Sequence, residues 1–303
     1  MTDVYLQEVC PRDGLQIESV ILPTDDKVRL IDSLSQTGFS RIEVSSFVSP
    51  KAVPALADAA EVFARITRVP SVTYVALVPN RKGAERAIEA EADELNMVAS
   101  VSRTHNLANM RMTTEESFLG FSQIARLTLD AKRLLNGTIA TAFGCPFEGA
   151  QSEVEVLELV GRYRELGCTG ITLADTTGMA NPRQVTRLVG AALSLVGPEA
   201  LTLHFHNTRG LGLANVVAAF QAGARRFDAA LGGLGGCPFA PGASGNIATE
   251  DTAAMFEEMG VPTGLDLRTL LSLSHGLPTL VGHDVPGQVV KAGLVGDLHP
   301  API

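Results

Sequence analysis

At 303 residues the chain fits one large domain or two ordinary ones, and 46% hydrophobic content supplies an ample core even without tryptophan. A formal net charge of -9 with no basic cluster argues against a polyanion surface, so no nucleic-acid partner is expected. Four cysteines (Cys10, Cys145, Cys168, Cys237) show no Cys-x-x-Cys pair and form no disulfide framework, which points to a reducing, cytoplasmic compartment.

The N-terminal stretch lacks a basic region and meets Glu8 before any long apolar run, so it does not read as a secretory signal, and no run reaches membrane-span length. Short β-branched segments then alternate with longer amphipathic ones. The strand candidates are Val4 to Cys10, Arg41 to Ser46, Ser71 to Val78, Glu94 to Val101, Thr138 to Phe143, Gly170 to Asp175, Leu201 to His206 and Arg226 to Leu231. Between them, Thr24 to Asp26 cap a helix that Gly38 closes, Ser152 caps another ended by Gly167, Asn181-Pro182 opens a third, and Leu213 to Ala222 is a fourth. Eight such units over this length have the rhythm of a (β/α)₈ TIM barrel, with a doubly wound open sheet as the competitor. The rhythm stops after Val261, and Leu265 to Leu280 reads as an added helix. The expected organisation is a catalytic barrel over 1–260 and a C-terminal helical extension over 261–303 packed on it.

In such a barrel chemistry sits where strands end. Strand one runs into Arg12-Asp13-Gly14-Leu15-Gln16, strand two carries Glu43, strand six ends in Asp175-Thr176, strand seven carries His204 and His206, and the last loop holds Cys237 and Asn246. Each has a bland alternative: Arg12 and Asp13 as a local turn pair, Glu43 in a salt bridge, Asp175 as a helix cap. Their joint placement at one rim is what argues for a site. Histidines at i and i+2 on a strand face the same way, and with Asp13 and Asn246 as oxygen donors they make an N₂O₂ set without thiolate. That set suits Mg²⁺ or Mn²⁺, with Zn²⁺ as a third option.

The chain resembles the 3-hydroxy-3-methylglutaryl-CoA lyase family of metal-dependent barrels. The resemblance is carried by Glu8-Val-Cys-Pro-Arg-Asp-Gly-Leu-Gln16, Ile42-Glu-Val-Ser-Ser-Phe-Val-Ser-Pro-Lys51, Gly144-Cys-Pro-Phe-Glu-Gly149, Ala174-Asp-Thr-Thr-Gly178, His204-Phe-His206, Gly233-Leu-Gly-Gly-Cys-Pro-Phe239 and Gly242-Ala-Ser-Gly-Asn-Ile-Ala-Thr-Glu-Asp251. It implies metal binding by Asp13, His204, His206 and Asn246, neutralisation of a developing enolate by Arg12, and a polar network held by Glu43 and Asp175. It also implies that Cys237 acts from the glycine-rich loop and that Arg12, Gln16 and Thr176 touch an acyl-CoA substrate. The implied reaction is cleavage to acetyl-CoA and acetoacetate in leucine breakdown, by a homo-oligomer, dimer or tetramer. A lyase for a citramalyl- or methylmalyl-type thioester is the close alternative. An acetyl-CoA-dependent Claisen synthase and a scaffold without catalysis are the more distant ones. The chain departs from the family pattern at Asn207-Thr208-Arg209, Phe239, Pro241, Gly232 and Ala52, positions that bear on the acyl group more than on the metal.

Overall fold

The computed structural model describes residues 3–236 and 245–298. Eight parallel strands close into a barrel in chain order: β1 (Tyr5–Glu8), β2 (Arg41–Ser46), β3 (Thr73–Leu77), β4 (Glu94–Ser100), β5 (Leu134–Ala140), β6 (Gly170–Asp175), β7 (Leu201–Phe205) and β8 (Arg226–Ala229). Closure comes from β1 lying against β8, with Tyr5 opposite Arg226 and Glu8 opposite Ala229. An open sheet is thereby excluded.

Helices α1 (Thr24–Ser35), α2 (Ala59–Arg65), α3 (Arg81–Glu89), α4 (Arg103–Met110), α5 (Thr114–Asp130), α6 (Glu153–Glu165), α7 (Pro182–Val196), α8 (Gly212–Gln221) and α9 (Thr249–Glu258) connect or follow the strands. Two of the expected starts form as read: Ser152 accepts from the Glu155 amide, and Asn181 accepts from the Gln184 amide ahead of Pro182. The start of α1 differs. Its N-cap is Pro23, and Thr24 Oγ1 instead donates to Asp58 (2.8 Å), while Asp25 and Asp26 stand in the first turn, where negative charge favours the helix dipole.

β5 begins at Leu134, not Thr138, because Asn136 and Gly137, weak strand formers by composition, lie inside it. Gly137 is there for space: a Cβ would stand 2.3 Å from the Tyr163 ring, which packs on this strand from α6. The strand then ends before Phe143, since Thr141 turns to φ 56°.

Strand alternation divides the molecule into two environments. Outward side chains such as Leu95, Met97, Ile171, Leu203 and Phe227 are fully buried beneath the helices and form the core. The barrel interior, usually filled by branched apolar residues, is polar here. Asn136 Nδ2 donates to Asn96 Oδ1 (2.9 Å) and Thr172 Oγ1 (3.1 Å), and Thr138 Oγ1 donates to Asn96 Oδ1 (2.8 Å).

The C-terminal helix α10 (Leu267–Val281) sits two residues later than expected at its start and buries Leu270, Leu271 and Leu277. Its Ser274 Oγ donates to Glu250 Oε1 (2.7 Å), whose other oxygen accepts the Gly232 amide (3.0 Å), so the helix braces the exit from β8. A short α11 (Val289–Ala292) follows. Among the described residues no helix is long and apolar enough to cross a membrane.

Glu8 locks the barrel seam. Its Oε1 accepts the amides of Cys10 (2.8 Å) and Leu231 (3.0 Å), and its Oε2 accepts from Thr249 Oγ1 (2.8 Å). Burial nevertheless pushes this carboxyl up to about 8. The folded state therefore holds a proton that the unfolded chain releases, and stability declines as pH rises from the ordinary glutamate value through about 8. Over that interval Glu8 contributes a loss of roughly 3–5 kcal/mol. Glu8→Gln, with Thr249 turning to accept, is expected to flatten the fall in Tm between pH 5 and pH 9. Parallel Tm profiles for the two proteins would refute the assignment.

Candidate active site

The chain leaves β1 through a π-type turn, Cys10–Gly14, in which the amides of Asp13 (2.7 Å) and Gly14 (3.3 Å) both return to the Val9 carbonyl. The wide turn sets Arg12 and Asp13 side by side at the C-terminal mouth of the barrel. They are more than a local pair. Arg12 Nε donates to Glu43 Oε2 (2.7 Å) and its Nη1 to Asp13 Oδ1 (2.5 Å), so one guanidinium bridges the ends of β1 and β2. Burial opposes the charge on Arg12, yet Glu43 and Asp13 raise its pKa above the ordinary arginine value. Burial likewise opposes ionisation of Asp13, and Arg12, His204, His206 and Asn246 outweigh it, lowering the carboxyl to about 2. Glu43 uses its second oxygen to accept from Asn96 Nδ2 (3.0 Å), which connects the site to the polar barrel interior.

His204 and His206 project from β7 to the same side, their Nε2 atoms 3.1 Å apart. Asp13 Oδ2 lies 3.9 Å from His204 Nε2 and 3.8 Å from His206 Nε2. The three residues are buried, and each offers a ligand atom within 4.8 Å of the others. Phe205 between them turns outward against Phe143, ring centroids 5.7 Å apart. Burial, followed by the neighbouring His204, depresses His206 to about 3, so its imidazole is neutral and has a lone pair to give. His204 is drawn the other way: burial lowers it, but the Asp228 carboxylate at 3.1 Å from Nδ1 raises it.

Asn246 completes the set. The amide of Asn207 donates to Gly245 O (3.0 Å), that of Ile247 to Phe205 O (3.1 Å) and that of Ala230 to Ile247 O (3.1 Å), pinning Asn246 between the ends of β7 and β8. Its Nδ2 donates to Asp13 Oδ2 (2.7 Å) and to the Leu234 carbonyl (2.9 Å). A carbonyl cannot donate, so the nitrogen must face Leu234 and the amide orientation is settled by chemistry. That leaves Asn246 Oδ1 buried without a partner. Gly235 permits the approach: at φ 100° a Cβ would stand 2.6 Å from Asn246 Nδ2 and 2.9 Å from the Asp13 carbonyl. Two imidazole nitrogens, an ionised carboxylate and an orphaned amide oxygen make a donor set that fits a divalent cation.

The other expected site residues fall as follows. Gln16 Nε2 donates to Asp13 Oδ1 (2.8 Å) and joins the cluster. Asp175 is fully buried and caps the next turn, its Oδ1 accepting from the amides of Met179 (2.7 Å) and Ala180 (3.0 Å), while its Oδ2 has no partner. Burial raises this carboxyl to about 6. Thr176 Oγ1 accepts from the Thr141 amide (3.0 Å), tying the rims of β5 and β6 together and not joining the Arg12–His206 cluster. Cys237 lies outside the described residues. Arg209, at the departure from the family pattern, donates through Nη1 to the carbonyls of Thr177 (2.9 Å) and Gly178 (2.9 Å), fastening the β7 turn to the β6 turn. Asp228 and Asn96 were not singled out by sequence. Their only signal was a polar residue at the inward alternation of a strand.

The HMGL-like family matches residues 3–276. A hydroxymethylglutaryl-CoA lyase of Bacillus subtilis is 43% identical over 285 residues, covering 94% of this chain and 95% of its own. An (R)-citramalyl-CoA lyase of Chloroflexus aurantiacus is also 43% identical, over 306 residues covering 97% of this chain and 96% of its own. The solved structure of an HMG-CoA lyase from Acenitobacter baumannii, in complex with coenzyme A and 3-methylmalate, is 64% identical with a TM-score of 0.96, covering 99% of this chain and 98% of that one. A match over this much of the chain is consistent with the barrel and the site just described, and the chain belongs to the HMGL-like family.

Proposed function

We propose that this carbon–carbon lyase cleaves 3-hydroxy-3-methylglutaryl-CoA to acetyl-CoA and acetoacetate, with Mg²⁺ or Mn²⁺ held by Asp13, His204, His206 and Asn246. The observation that carries the reading is the convergence of those four donors beside the fixed charge of Arg12. A divalent cation held by those four residues would supply Lewis acidity to the substrate's tertiary hydroxyl and lower its pKa. The chain's own groups do the rest. Arg12, held by Glu43 and Asp13, stands ready to neutralise the thioester enolate that forms as the carbon–carbon bond breaks. Asn96 keeps Glu43 in place behind it, and Gln16 closes the Asp13 side. Asp175 shapes the β6 turn above the site, and Thr176 meets the substrate from the same turn. The acetyl carbon takes its proton from the Cys237 thiol, a role assigned from its glycine-rich motif, and the proton released by the substrate hydroxyl restores that thiol, so the cleavage is proton-neutral overall.

A second reading, cleavage of a citramalyl-type thioester, is favoured by the equal identity to the citramalyl-CoA lyase. A panel of acyl-CoA thioesters offered to the purified protein separates the two. Acetoacetate release is expected to stop with EDTA and return with Mn²⁺ or Mg²⁺. Cleavage that persists in the chelator would refute the metal assignment, and pyruvate as the favoured product would select the second reading. The free thiols of Cys10, Cys145 and Cys168 support a cytoplasmic setting, within leucine breakdown. The protein is proposed to act as a homo-oligomer, which light scattering would test.

A further inference from the structure

We infer that Asp228 is a positioning residue: it holds His204 as the Nδ1–H tautomer, so that Nε2 presents a bare lone pair to the cation. The inference rests on the metal reading above and concerns a residue on a different strand from any of the donors. Asp228 and His204 are register neighbours on β8 and β7, and both are buried. Asp228 Oδ2 lies 3.1 Å from His204 Nδ1. A carboxylate has no proton to give, so the imidazole nitrogen against it must donate, and in the neutral ring that binds a cation the other nitrogen is left unprotonated. That other nitrogen is the one facing His206 Nε2 and Asp13.

The two histidines are held by different means. His206 Nδ1 is buried without a partner, and the ring is placed by the backbone bridge between His206 and Asn246. Of the two, His204 is the one whose ring nitrogen meets a carboxylate side chain. Arg12 from above and Arg41 from the far end of the barrel both interact with the Asp228 charge, so the carboxylate stands between two cations inside the barrel.

The test uses the full chain stripped of metal. Long-range ¹H–¹⁵N spectra of the imidazoles, recorded at a pH high enough for the His204 ring to be neutral and assigned with a His204→Gln variant, are expected to show His204 protonated on Nδ1 and bare on Nε2. Asp228→Asn, which can either accept from or donate to Nδ1, is expected to mix the tautomers of His204 and leave His206 unchanged. Calorimetric titration with Mn²⁺ is expected to show about 10–100-fold weaker binding in the variant, the usual cost of losing a partner behind a metal-binding histidine. Asp228→Glu is expected to recover part of the loss. A neutral wild-type His204 ring protonated on Nε2 overturns the assignment whether or not the variant folds. So does Mn²⁺ affinity within twofold of wild type in a folded Asp228→Asn. Failure of the wild type to bind Mn²⁺ would sink the metal centre itself, a distinguishable result.

Discussion

Arg12→Gln is expected to lower kcat for thioester cleavage by about a thousandfold, at the upper end of what one fixed donor to a developing oxyanion supplies. The guanidinium is neither a surface charge nor free to reorient, because Glu43 and Asp13 grip it from two strands. On the proposed function, the enolate would meet a charge already in place, without reorganisation at the moment of bond cleavage. The glutamine also leaves Glu43 and Asp13 buried beside each other without their cation, a change that costs about 3–5 kcal/mol when a buried pair is broken. Arg12→Lys separates these effects. Lysine restores charge but not the fork that reaches two carboxylates, so it is expected to recover more stability than turnover. Steady-state kinetics beside Tm for both variants provides the check. Wild-type kcat in Arg12→Gln would refute the role.

Asp13→Ala is expected to abolish Mn²⁺ binding across the accessible calorimetric range, and turnover with it. Asp13 would supply the carboxylate of the proposed N₂O₂ set and is also the acceptor for Arg12, Gln16 and Asn246. Its removal therefore takes one donor directly and loosens a second. Asn246→Ala, which removes only the amide, is expected to weaken binding by a smaller factor. If Asp13→Ala binds Mn²⁺ as the wild type does, the cation lies elsewhere and the four-residue centre is refuted.

Much of this was legible before the coordinates. Strand ends are marked by charged residues following β-branched runs, and a His-x-His on a strand has one geometrical meaning, so the rim could be assembled from spacing alone. Alternation also placed Phe205 outward. What stayed hidden depends on neighbours distant in the chain. Nothing near Asp228 says that His204 lies beside it, and Asn96 reads as a poor strand residue until Glu43 stands opposite its amide. The start of β5 was missed for the same reason: Gly137 weakens the local pattern to make room for Tyr163, twenty-six residues later by number and adjacent in space. The bland alternative for Asp175 also had substance, since the carboxylate does cap a turn while one oxygen remains unpartnered.

The run from Asn136 through Asn96 and Glu43 to Arg12 has a polarity of its own. Glu43 only accepts, which orients the Asn96 amide, which in turn orients Asn136. A core of methyl groups tolerates rearrangement if volume is kept, whereas a directed series such as this one tolerates change only when both ends of a link change together. Laboratory selection for a different acyl group should therefore accumulate its substitutions in the rim turns, around Thr208 and Arg209, and find the barrel interior nearly closed to single steps.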